Sequence, residues 1–114
     1  MASFQYVVLS RSKPGREDEY AAWYAAQHLP DVCRMPGVTS ARLFRIGLQK
    51  VYDLEAPQWT LLTIYELEGD DPQAIIDSIV AVSGSESMPL SDALTKDCMV
   101  QVVGSQIAAI DPPG

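Results

Sequence analysis

The sequence predicts a single α+β domain with the element order β-α-β-β-α-β, and three observations predict it. Two segments, one around Tyr20–His28 and one over Ile75–Val82, space their bulky residues at the helical period. Four short runs rich in Val, Ile, Leu and aromatic residues read as strands. Glycines and prolines punctuate the chain between these pieces, and 114 residues suit one domain, taken as residues 1–114.

Each element follows in chain order. Phe4 to Ser10 forms the first strand, broken by Lys13-Pro14-Gly15. Glu17, Asp18 and Glu19 then favour the positive end of a helix running from about Gly15 to about Leu29. Tyr20, Trp23, Tyr24, Gln27 and His28 share one face of it, and Pro30 is expected to end it. A turn through residues 31–35 leads to Pro36-Gly37. Val38 to Leu48 is the second strand, Gln49 to Gln58 a loop holding Pro57, and Trp59 to Leu67 the third strand. Asp71 N-caps the second helix, with Pro72 at its first position, and Ser83-Gly84-Ser85 ends it. Ser87 to Lys96 is read as loop with a short helical turn near Ser91, and Cys98 to about Ile107 as the fourth strand. The tail from about residue 108 is expected to be loosely ordered.

This order is the ferredoxin-like pattern, in which both helices cover one face of an antiparallel sheet. A solvated second face would alternate polar residues with apolar ones. Strand 3 instead carries Trp59, Leu61, Tyr65 and Leu67 on one face and Leu62 and Ile64 on the other. Strand 1 sets Phe4, Tyr6 and Val8 opposite Val7 and Leu9. The bare face is therefore expected to be covered by a second copy of the chain, as a homodimer.

Composition narrows the partners. A net charge of -7 without any basic run argues against nucleic acid. No apolar run approaches a membrane span, and the N-terminus lacks the pattern of a secretory leader. Two cysteines, Cys33 and Cys98, are too few for a disulfide scaffold and are read as reduced thiols of a cytoplasmic protein. No glycine-rich phosphate loop, nucleophile elbow or metal-ligand spacing occurs, so neither metal nor nucleotide cofactor is expected.

The segments Lys13-Pro14-Gly15, Trp23 to Asp31 and Met35-Pro36-Gly37-Val38 resemble the EthD-like branch of the dimeric α/β-barrel superfamily. The specific motif spans about Lys13 to Phe44, with His28-Leu29-Pro30 followed by Pro36-Gly37. The resemblance implies two sheets packed face to face in a dimeric α/β barrel, with a pocket between sheet and helices in each protomer. It also implies kinship with cofactor-free isomerases, lyases, polyketide cyclases and monooxygenases. Fold alone does not choose among these. Sister groups often carry further histidines, whereas this chain has one, so a two-histidine mechanism does not transfer.

His28 is the leading candidate for acid/base work. The helix dipole at a C-terminus would favour its charged form and burial its neutral form; the bland alternative is a structural histidine. Tyr24 and Tyr65 are candidate catalytic phenols, and Tyr6 a candidate ligand contact, each with core packing as its alternative. Trp23 and Trp59 are candidate walls of an aromatic pocket, or plain core. Asp31 is a candidate to fix the His28 tautomer, or a solvated turn residue. Arg42 is a candidate for a substrate carboxylate or phenolate, or for a dimer-edge ion pair. Cys33, five residues beyond His28, is a weaker candidate nucleophile.

The function expected is cofactor-independent proton transfer on a small, mostly apolar catabolite or polyketide-like compound: isomerisation, cyclisation or elimination. The alternatives are a monooxygenase of the same superfamily and a non-catalytic ligand-binding or stress-related dimer.

Overall fold

Alternation of inward and outward residues builds the sheet of the computed structural model, which describes residues 2–113. β1 (Ser3–Ser12) turns Tyr6, Val8, Ser10 and Ser12 inward, and β3 (Leu61–Glu68) turns Leu61, Thr63, Tyr65 and Leu67 the same way. β2 (Val38–Arg45) and β4 (Leu94–Gly104) flank them, so the antiparallel order across the sheet is β2-β3-β1-β4. The register sets Tyr6 opposite Tyr65 and Leu9 opposite Leu62. β2 ends three residues before the expected Leu48, and β4 starts at Leu94 rather than Cys98.

β4 begins early because it contains a wide bulge. Leu9 pairs with Val100, but Arg11 pairs with Thr95, so Ser10 faces the four residues Lys96–Met99. Cys98 takes φ 57 there, in the left-handed region. The Trp59 indole N–H donates to the Cys98 carbonyl at 2.8 Å and ties this irregular stretch to the chain entering β3.

The first helical stretch does not stop at Pro30. α1 (Glu17–Trp23) continues through a π-helical turn (Tyr24–His28) into α2 (Leu29–Cys33). The Leu29 N–H reaches back five residues to the Tyr24 carbonyl. Pro30 lacks an N–H and its ring crowds the carbonyl four residues earlier; the widened turn just before it relieves that conflict without ending the helix. The extra residue also turns Gln27 outward, correcting its placement on the buried face.

α3 (Pro72–Val82) starts as expected: the Asp71 carboxylate accepts from the Ala74 N–H, and Pro72 occupies the first position. Val32 from α2 and Ile79 from α3 pack with Tyr6, Val8, Tyr65 and Leu67, so both helical layers cover the same sheet face. A second cluster gathers Tyr20, Tyr24, Leu61 and Ala93. Residues 105–113 have no regular structure and are exposed; Gly114, the last residue of the expected loose tail, lies outside the described residues.

Among the described residues, the other sheet face has no helix. Row by row it carries Phe44, Leu62, Leu9 and Val100, then Arg42, Ile64, Val7 and Val102. Phe44 and Val102 are 45% and 54% exposed. No helix among the described residues is long and apolar enough to cross a membrane.

Candidate functional site

The two core clusters do not close on each other. Between them lies a cavity of about 260 Å³, lined by members of both, including Tyr6, Tyr20, Tyr24, His28 and Tyr65. The sheet supplies Tyr6 and Tyr65, whose rings stack at 5.5 Å. The helix supplies Tyr20 and Tyr24 one turn apart, then His28 from the π-helical turn.

His28 lies almost parallel to Trp23, with ring centroids 5.1 Å apart, and meets Tyr24 edge-on at 4.8 Å. Its Nδ1 is buried and has no hydrogen-bond partner among the described residues. Burial lowers the imidazole pKa, and the nearby Asp31 carboxylate opposes this only in part. The helix-dipole contribution expected at a C-terminus lapses, because the helix continues to Cys33. The result is a neutral imidazole at neutral pH, with one nitrogen able to accept a proton.

Beside it, the Tyr24 and Tyr65 hydroxyls are 2.9 Å apart and share a hydrogen bond. Burial raises both pKa values, and burial also pushes Tyr6 up to about 12. All three phenols are therefore protonated at neutral pH. In the Tyr24–Tyr65 bond one phenol donates and the other keeps its own proton, strengthened as a donor by the bond it accepts, with the Thr63 hydroxyl a further neighbour of Tyr24.

Five of the eight candidate residues thus meet at one cavity: His28, Tyr24, Tyr65, Tyr6 and Trp23. Three do not. Arg42 lies on the helix-free sheet face, level with Ile64, because β2 alternates with Ala41 and Leu43 facing inward. Trp59 precedes β3 rather than standing in it, and borders a separate surface depression with Arg11 and Gln58. Asp31 is buried rather than a solvated turn residue, but its carboxylate is bound by Gln27 at 2.8 Å and by Arg34, not by His28. Cys33 is half-buried and its thiol is pushed up by burial, which removes the thiolate a nucleophile needs.

Sequence reasoning missed Ser10, Lys96, Met99 and Gln101 in the lining, and placed Tyr20 on the right helical face without assigning it to the site. Ser10 left a readable signal, a polar residue in the inward row of Tyr6 and Val8. Lys96 left none, since only the bulge brings it there. The lining holds one histidine and no carboxylate, and no cluster of three or more His, Cys, Asp or Glu side chains suited to a metal occurs among the described residues.

No protein-family model matches the sequence, and no curated protein matches it either. Its architecture does have solved counterparts. An ethyl tert-butyl ether D (EthD) family protein from Bacillus halodurans C-125 superposes with a TM-score of 0.58 at 14% identity, over 92% of this chain and 99% of that one. The fold is EthD-like. A protein of unknown function from Nitrosomonas europaea matches with a TM-score of 0.53 at 18% identity, over 100% of this chain and 98% of that one. At these identities the likeness concerns the EthD-like backbone arrangement, and the chemistry rests on the side chains just described.

Proposed function

We propose that this EthD-like chain is a cofactor-independent enzyme that moves a proton on a small, mostly apolar carbonyl compound, by isomerisation, cyclisation or elimination. The observation that carries the reading is the neutral, unpartnered His28 imidazole on the wall of the cavity that also holds the Tyr24–Tyr65 pair. His28 takes the proton from the carbon beside the carbonyl. The pair donates a hydrogen bond to the oxygen as negative charge develops on it. Neither phenol needs to ionise, and their raised pKa values keep them as donors throughout the working range.

The lining is mostly aromatic and aliphatic, which selects an apolar ligand body. The working form in this proposal is a homodimer joined through the helix-free sheet face, leaving the cavity on the opposite side of each sheet.

Deuterium exchange tests the chemistry without knowledge of the natural substrate. An aryl methyl ketone such as 2-acetonaphthone, incubated with the protein in D2O, is expected to lose its methyl proton signal faster than in buffer. His28→Ala is expected to slow the protein-dependent exchange about 100-fold or more while keeping a cooperative melt. An unchanged rate in His28→Ala would overturn the assignment. A ketone that binds but does not exchange would leave the cavity as a binding site without this chemistry.

A further inference from the structure

The cavity lining carries polar groups that the proton-transfer reading does not use. Ser10 and Tyr20 both line it, each is 0% exposed, and neither side-chain oxygen has a hydrogen-bond partner among the described residues. The two hydroxyls lie beside each other: burial raises the Tyr20 pKa and the Ser10 hydroxyl partly offsets that, although the pair falls short of hydrogen-bond geometry. Buried hydroxyls left without partners are uncommon, and where they point into a cavity they mark the place a ligand atom would occupy.

The third group comes from β4. Ser10 is the residue the bulge leaves without a β4 partner, and Lys96 lies within that bulge and lines the same cavity. Lys96 forms no salt bridge among the described residues. The chain has 15 Asp and Glu against 8 Lys and Arg, yet the lining contains no acid and a single lysine. A cation and two hydroxyl donors, with no competing carboxylate, complement an anion.

We infer that Ser10, Tyr20 and Lys96 form a carboxylate-binding end of the cavity, so that the ligand is an organic acid with an apolar body of roughly bicyclic size. The two hydroxyls donate to one carboxylate oxygen, and the Lys96 ammonium balances the charge at the mouth. The carboxylate anchors the ligand at this end while its apolar body reaches toward His28 and the Tyr24–Tyr65 pair. The inference rests on the cavity being the ligand site, as in the proposed function, but not on His28 acting as a base.

Two probes of one shape test it: 2-naphthoate, an anion, and 2-acetonaphthone, its neutral methyl-ketone counterpart. Titration calorimetry on the full chain is expected to give the carboxylate about tenfold tighter binding than the ketone. Tyr20→Phe and Lys96→Ala should each bring that ratio down toward unity, and Lys96→Arg should restore it. Lys96 is exposed, so its replacement does not endanger the fold. Equal binding of the two probes, no detectable binding of the carboxylate, or a ratio unmoved by Lys96→Ala would overturn the inference. A preserved carboxylate preference without ketone exchange removes the proton-transfer reading alone. Exchange without the preference removes this inference alone.

Discussion

His28 lies against the face of Trp23 and the edge of Tyr24, a setting that hydrates an imidazolium poorly. The consequence reaches beyond chemistry. In the unfolded chain the ring takes up its proton near pH 6.5, while in the folded chain its pKa is lower. The unfolded state therefore binds the extra proton first as pH falls, and the folded state loses stability from about pH 6.5 downward until its own lowered pKa is reached. Above that window the contribution is fully present. Thermal melts between pH 7.5 and pH 5 are expected to fall more steeply for the wild type than for His28→Phe, which keeps a flat apolar ring on Trp23. Parallel slopes for the two proteins would mean that the ring is not desolvated. Under the proposed function, ketone exchange should follow the same sign: a base acts in its neutral form, so exchange is expected to rise with pH through the lowered pKa and then level off.

At the scale of elements, regular patterns were legible in the sequence and irregular ones were not. The Asp71-Pro72 start of α3 could be read because capping depends on residue types a few positions apart. The helical spacing put Tyr24 and His28 on one face and strand alternation turned Tyr6 and Tyr65 toward one side of the sheet, but that these groups meet at one cavity was not legible in the sequence. The π-helical turn was missed because Pro30 normally stops a helix, and no local signal says that one extra residue will absorb the conflict. The β4 bulge was missed because its left-handed residue is Cys98, not the glycine or asparagine that would announce it. Lys96 and the pairing loss at Ser10 went with it.

The turn into β2 packs closely against α3. Gly37 has φ 92, and a Cβ there would lie 2.7 Å from Cδ1 of Ile75 on α3. Gly15 has φ 80 with nothing within 4 Å of the same position. Gly15→Ala carries only the conformational penalty, about 1–2 kcal/mol. Gly37→Ala adds crowding against α3 and is expected to cost about 2–4 kcal/mol in urea unfolding. Equal losses at the two sites would show that Ile75 moves aside freely.

For the whole molecule, the unresolved pressure is the helix-free sheet face. Helices cover Tyr6, Val8, Tyr65 and Leu67, while the described residues of one copy leave Phe44 and Val102 at 45% and 54% exposure. Exposed apolar side chains continue beyond the sheet, with Leu48, Tyr52 and Leu54 in the loop after β2 and Ile107 and Ile110 in the tail. A two-fold pair sets such a face against itself, and opposite charges on it then serve each other. Arg42 has no salt bridge among the described residues, and Glu66 stands on the same face one row along. The expected species in light scattering at micromolar concentration is a dimer of twice the chain mass. Phe44→Asp and Val102→Asp place a charge where the single copy already exposes the side chain, so each should leave the fold intact and shift the mass to that of one chain. Because Arg42 belongs to this face and not to the cavity, Arg42→Ala should weaken the dimer while leaving probe binding at the His28 cavity within about twofold of wild type. A wild-type monomer would refute the pairing. A dimer indifferent to all three changes would place the contact on another surface.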